Sequence, residues 1–205
     1  VVGRPNVGKS TLINHLIGQK IAITSKKPQT TRHALLGIHT VGDNQIIFVD
    51  TPGIHQSREK AINRHMNRTA WQSMDYVDLI LQVSEAGRWN DEDARIAKAL
   101  AEGDKPVIQV PNKIDRLRDK SVLLKELEHI QSLGDWQAII PISAQQRQNL
   151  GTLERALIPF LSEQPWIYPE DHITTAGMRF MAAEIIREKI FRYLHQEIPY
   201  ALGVI

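Results

Sequence analysis

Apolar positions along this chain fall into two alternating rhythms. Short unbroken runs such as Ile46-Ile47-Phe48-Val49 have the pattern of strands covered on both faces. Longer polar stretches between them carry apolar residues at helical spacing. The pattern predicts a helix over Lys9–Ile17. Two extended runs, Leu35–Val41 and Gln45–Asp50, then flank a Gly42-Asp43-Asn44 turn, an antiparallel hairpin. A polar helix over Glu59–Met74 leads into a strand over Val77–Val83. Next come a helix over Asp91–Ala101 capped by Asn90, a strand over Val107–Val110 and a helix near Leu123–Leu133. A strand over Ile139–Ile142 and a helix over Leu150–Leu161 complete the series, with Gly103 and Gly134 at helix stops.

Such alternation implies an α/β fold: a mostly parallel sheet covered on both faces, with one antiparallel edge strand from the hairpin. Ligands of such sheets sit beyond the carboxyl ends of the strands. The pattern changes after Leu161. Residues 163–177, with Pro165 and Pro169, read as a linker between a domain over 1–162 and a further unit over 178–205. That unit opens with a helix over Met178–Gln196, whose Phe180, Ala183, Ile186, Ile190 and Leu194 share one face. Both ends read as cut: Val1-Val2 as the tail of a strand, and residues 201–205 as a strand just beginning.

Composition narrows the class only modestly. The 205 residues are 42% hydrophobic and 23% charged, ordinary for a globular protein. A net charge of +2 is too small to argue for nucleic acid by itself, and no DNA contact is expected. Cysteine is absent, which excludes disulfides and thiolate-bound zinc and suits a reducing cytoplasm. No apolar run is long enough to span a membrane as a helix.

The chemistry begins at Gly3-Arg4-Pro5-Asn6-Val7-Gly8-Lys9-Ser10, which fits GxxxxGK[ST]. Two glycines let the backbone close around phosphates with its N–H groups turned inward. Lys9 brings a positive charge to the β/γ-phosphates, and Ser10, followed by Thr11, opens a helix whose dipole faces the anion. The Ser10 hydroxyl is placed for Mg²⁺. Three further clusters follow strands in order. Asp50-Thr51-Pro52-Gly53 is a common turn in isolation. Downstream of a phosphate loop, Asp50 reads as part of the Mg²⁺ shell and the Gly53 N–H as a donor to the terminal phosphate. In Asn112-Lys113-Ile114-Asp115, the Asp115 carboxylate can accept from guanine N1–H and the 2-amino group, which adenine lacks. Such a reader discriminates by about 10⁴–10⁵. Asn112 can position the other base edge and brace neighbouring loops, and the Lys113 stem can lie over the ring. Ser143-Ala144, small residues after the last strand, let backbone N–H groups reach guanine O6. The first cluster names a nucleotide class; the third names GTP and GDP.

With Gln29-Thr30-Thr31-Arg32-His33 and the tail Arg179–Lys189 added to these motifs, the chain resembles the Era subfamily of Ras-like, translation-factor-class GTPases. The resemblance runs over essentially the whole sequence; related GTPases share the motifs but lack the tail. It implies a Mg²⁺-dependent GTP-hydrolysing switch acting in 16S rRNA processing and small-subunit assembly. The tail would open a KH-type α+β RNA-binding domain that grips the 3′ region of 16S rRNA, although no GxxG occurs after Met178. A cytoplasmic location with peripheral inner-membrane association is also implied. Thr31, with Thr30 as alternative, is the expected second hydroxyl on Mg²⁺, in a loop ordered by the γ-phosphate. Asn6 reads either as a turn residue or as the site of a K⁺ ion that stabilises transition-state charge. Ile54 stands where many Ras-like enzymes carry a water-orienting Gln, so slow intrinsic turnover is expected. That departure keeps open an alternative, a nucleotide-sensing relative in tRNA modification or ribosome assembly with negligible hydrolysis. Pro111 before Asn112 departs from the usual pattern by giving up one strand N–H.

Overall fold

A computed structural model describes residues 1–24, 34–54 and 61–193. The expected alternation is present: α1 (Lys9–Ile17), β1 (Leu35–Val41), β2 (Asn44–Asp50), α2 (Ala61–Gln72), β3 (Ile80–Glu85), α3 (Asp91–Ala101), β4 (Val107–Asn112), α4 (Lys120–Ser132), β5 (Ala138–Ile139), α5 (Leu150–Leu157) and α6 (Met178–Tyr193). The hairpin β1–β2 is antiparallel with Leu35 opposite Asp50, while β3, β4 and β5 pair in parallel. Residues 1 and 2 bridge the two sheets. The Val1 nitrogen donates to Val49 O at 2.8 Å, and Val2 exchanges 2.8 Å bonds with Leu81 O and Val83 N.

Strand alternation sends side chains to two apolar layers. Leu81, Val83, Ile108 and Val110 face α1 and α5, packing with Leu12, Ile13, Leu16, Leu153 and Leu157. Ile80 and Val107 face the other way, with Ile96, Ala97, Leu100, Ile130 and Trp136. On that second face Gln82 and Gln109 are fully buried polar residues that interrupt otherwise apolar strands. One bond joins them, Gln109 Nε2 donating to Gln82 Oε1 at 2.9 Å, and Gln82 Nε2 donates onward to the Asp93 carbonyl at 3.0 Å.

Several boundaries shift for local reasons. The strand expected over Val77–Val83 runs Ile80–Glu85, which carries it to the mouth of the sheet. The strand expected over Ile139–Ile142 is regular only at Ala138–Ile139. Ile140 and Ile142 still donate to Gln109 O and Pro111 O at 2.8 Å, but Pro111 has no N–H to return. The helix expected over Leu150–Leu161 ends at Leu157 and tightens into a 3₁₀ turn over Ile158–Phe160, where Pro159 cannot continue the α-helical bonding. The Asn90 cap is present as a full capping box with Asp93.

Residues 163–177 lie along the hairpin. Ile38 N donates to Ile173 O, Trp166 Nε1 to Asp43 O, and Gln45 exchanges three bonds with Ile167 and Tyr168. α6 meets the end of α1 through an ion pair of Lys20 with the buried Glu188. A cavity of about 560 Å³ opens between β2, the start of β3 and residues 157–168; none of its lining residues belongs to the four motif clusters.

Candidate nucleotide-binding site

The structure gathers the four clusters at the carboxyl ends of β2, β3 and β4 and the amino end of α1. Gly3 and Gly8 adopt φ of 144° and 106°, conformations that side chains resist. Neither has room for a Cβ, which would collide with the Val83 carbonyl at Gly3 and with Asn112 Nδ2 at Gly8. The loop is therefore closed on both flanks by β3 and β4. Lys9 is 6% exposed, and its Nζ donates to the carbonyls of Gly3 at 2.9 Å and Arg4 at 3.0 Å. Burial, reinforced by the Arg4 charge and opposed by Asp50 and Asp93, lowers its pKa to about 8. An incoming phosphate would supply the counter-charge that this ammonium lacks.

At the start of α1 the Ser10 hydroxyl donates to Asp50 Oδ2 at 2.8 Å, and Asp50 is fully buried at the end of β2. Two hard oxygen donors thus converge beside the phosphate loop, a set that suits a divalent cation completed by phosphate and water. Among the described residues no group of three or more His, Cys, Asp or Glu could hold a metal by itself. The Thr51 hydroxyl donates to Val1 O at 2.8 Å and ties β2 to the residues ahead of the loop. Pro52 and Gly53 are buried, Gly53 against Pro5, and Ile54 N donates to Gly3 O at 3.2 Å. Thr30 and Thr31 lie outside the described residues.

The base-reading cluster is cross-bonded. Asn112, 2% exposed, donates from Nδ2 to Val7 O at 2.8 Å, and its Oδ1 accepts from Lys113 N at 2.7 Å and Ala144 N at 2.9 Å. One side chain ties the phosphate loop, its own loop and the 143–144 loop together. All three bonds go to backbone, so bracing is what this form of Asn112 does. The Ala144 N–H expected for guanine O6 is committed to Asn112, so a base would have to share or displace that bond. Lys113 sits in the left-handed region at φ 67°, and its Nζ reaches Asn6 O at 2.6 Å and Glu85 Oε2 at 2.5 Å. Its methylene stem therefore spans from the base loop to the phosphate loop. Asp115 is half-buried in a 3₁₀ turn over Ile114–Arg116, where its Oδ1 accepts from Ser143 Oγ at 2.5 Å.

Sequence reasoning missed Glu85, Asp93 and His15. Glu85 ends β3 directly opposite Asn112, a register that places it beside Lys113. Its burial alone would raise its pKa, but the Lys113 bond and the charges of Lys113, Arg88 and Arg4 outweigh that and lower it. Asp93 takes the Arg4 guanidinium, so the Arg4 side chain faces α3 while its carbonyl serves Lys9. His15 links α1 to the Ala144 carbonyl. The legible signals were the capping box for Asp93 and a strand-end position for Glu85; His15 carried none.

Known proteins share this chain's sequence pattern and fold. Residues 1–113 match the family described as 50S ribosome-binding GTPase. GTPase Era of Ectopseudomonas mendocina (strain ymp) is 50% identical over 204 residues, covering 100% of this chain and 68% of that protein. Among solved structures, a variant of Aquifex aeolicus Era bound to GDP·AlF4⁻ superposes with a TM-score of 0.90 at 38% identity, over 97% of this chain and 67% of that one. Era in complex with MgGDPNP and nucleotides 1506–1542 of 16S ribosomal RNA gives a TM-score of 0.88 at 38% identity, with the same coverage.

Proposed function

The chain belongs to the Era family of GTPases, and from that premise we propose that it is a GTP-driven switch acting on 16S rRNA during small-subunit assembly. The observation that carries the reading is the cross-tied site. Asn112 joins the phosphate loop to both base loops, so occupancy by guanine and by phosphate is felt in one rigid unit. Asp115 reads the guanine edge, Lys113 spans the ring, Lys9 meets the β- and γ-phosphates, and Gly53 offers its N–H to the terminal phosphate. Ser10 and Asp50 would hold Mg²⁺, with Thr31, or Thr30, as the expected γ-phosphate-dependent hydroxyl; the ion would neutralise charge developing on the phosphoryl oxygens. Ile54 is buried and apolar, so no side chain at that position orients the attacking water and intrinsic turnover is slow. K⁺ beside Asn6 would add positive charge at the β/γ-phosphates. Equal hydrolysis rates in K⁺ and Na⁺ at matched ionic strength would discard that role.

The family description names the 50S particle, whereas the solved Era complex carries 16S rRNA. We favour the small subunit because the Era likeness extends over the whole chain and the family match stops at residue 113. RNA contact belongs to the KH-type unit from residue 178 onward, separated from the GTPase domain over 1–162 by residues 163–177. Among the described residues no helix is long and apolar enough to cross a membrane. A cytoplasmic location with peripheral inner-membrane association is part of the proposal, tested by high-salt washing of membranes. The deciding experiment is co-sedimentation with 30S and 50S subunits, in GDP and in a non-hydrolysable GTP analogue, of a protein whose KH-type unit continues through a GxxG loop. Nucleotide-dependent recovery with 30S is expected; recovery with 50S alone would overturn the assignment.

A further inference from the structure

Arg4 lies in the phosphate loop, yet its side chain is committed to another element. Its Nε donates to Asp93 Oδ2 at 2.9 Å and its Nη2 to the Arg88 carbonyl at 3.0 Å. Asp93 is fully buried, where an unpaired carboxylate is costly. Its position is fixed from three sides. Asn90 Oδ1 accepts from the N–H groups of Glu92 and Asp93, Asn90 N donates back to Asp93 Oδ2 at 3.3 Å, and Gln82 holds the Asp93 carbonyl from inside the sheet. A fork of two bonds thus fastens Arg4 to a turn anchored by strand and helix. The carbonyls that hold Lys9 Nζ are those of Gly3 and Arg4. Gly3 is wedged against β3, so fixing Arg4 fixes where the Lys9 ammonium waits.

We propose that Arg4 and Asp93 are a positioning pair that sets the phosphate loop's grip on the β-phosphate, with the Arg88 carbonyl as second anchor. The proposal rests on the nucleotide-site reading above and adds the device that holds its phosphate half. The pair touches no reacting atom; it acts through Lys9 and the loop amides. A separate clamp, Lys113 between Glu85 and Asn6, holds the loop from the base side. The two clamps therefore act on different parts of the nucleotide.

The test compares GDP and GMP affinities of the 205-residue chain with Arg4→Met, Arg4→Lys and Asp93→Asn, since GMP has no β-phosphate. Arg4→Met and Asp93→Asn are expected to weaken GDP by about 10- to 100-fold, the scale of charge-assisted bonds, and to leave GMP within about twofold. Arg4→Lys keeps the charge without the fork and should fall between. The double variant Arg4→Met/Asp93→Asn should be no weaker than the worse single, because its partners act as one unit. Equal losses for GDP and GMP, multiplying single effects, or unchanged GDP affinity would each overturn the pair. Should Asp93→Asn fail to fold, Arg4→Lys carries the comparison by itself. Wild-type protein that binds ADP as well as GDP would overturn the site itself; a guanine-selective wild type with unresponsive variants would overturn only the pair.

Discussion

The phosphate-facing half of the site and the base-facing half are made from different material. Residues 3–10 present backbone, and their rigidity is imported: Arg4 is held by Asp93, the Asn6 carbonyl by Lys113 and the Val7 carbonyl by Asn112. The base half presents side chains that restrain one another, Asp115 with Ser143 and Asn112 with the backbone of Lys113 and Ala144. A backbone cradle recognises any polyphosphate, because every nucleotide offers the same oxygens. Discrimination needs a carboxylate whose donors exist on one base only. On the proposed reading, the ties between the halves would let a general phosphate site inherit the selectivity of a small acidic reader.

The comparison breaks most visibly at Lys9. Lys9→Met removes two charge-assisted phosphate contacts at about 1.5–3 kcal/mol each, so GDP and GTP affinity should fall about 10²- to 10⁴-fold by titration calorimetry. The same change should raise the melting temperature of the nucleotide-free protein, because it removes a buried charge. A variant that loses affinity and stability together would mean that Lys9 is chiefly structural. Asn112→Ala acts on both halves at once. It leaves the Val7, Lys113 and Ala144 backbone groups without a buried partner, a cost of about 3 kcal/mol or more. Thermal denaturation should shift down by about 10 °C, with affinity for guanosine and for GDP falling together.

The smallest effect is a pH dependence confined to the phosphate half. Burial lowers the free-state pKa of Lys9 to about 8 from an ordinary 10.5, and phosphate binds the charged form. Affinity for GDP should be flat below that pH and fall about tenfold per unit above it, with proton uptake on binding. Stability of the nucleotide-free protein has the opposite sign. The unfolded chain holds the extra proton between about pH 8 and 10.5, so this group's contribution to stability rises with pH across that window. Calorimetry in buffers of different ionisation enthalpy reads the uptake; none at pH 9 would remove Lys9 from phosphate binding.

Most of the fold was legible because its signals are local. The run Ile46–Val49, the Asn90 cap and the Gly42 turn each specify their element through nearest neighbours, and α1, β1 and α3 have the expected bounds. The phosphate loop was equally plain, since its glycines and Lys9 act within eight residues. Guanine recognition depended on the order of clusters, a longer-range inference; the structure brings Asp115, Asn112 and Ser143 together, and guanine reading by them is the proposal made above. Illegible parts were those set by tertiary pairing. Gln82 and Gln109 read as interruptions in apolar strands until their mutual bond is seen. Arg4 was legible only as a member of the phosphate-loop motif, and the approach of α3 reveals the partner of its side chain. The truncation of β5 at Ile139 involves the missing N–H of Pro111 on the neighbouring strand, which is invisible along β5 alone.

The sharpest test of the central claim is competition among GTP, ATP and xanthosine triphosphate for wild-type protein and Asp115→Asn. Wild type should prefer GTP over ATP by about 10⁴-fold or more. The variant should exchange that preference for xanthosine triphosphate, whose carbonyl stands where guanine carries its amine and can accept from the new amide. Unchanged GTP affinity in Asp115→Asn, or ATP binding as tightly as GTP to wild type, would contradict the assignment of Asp115 as the residue that reads the base.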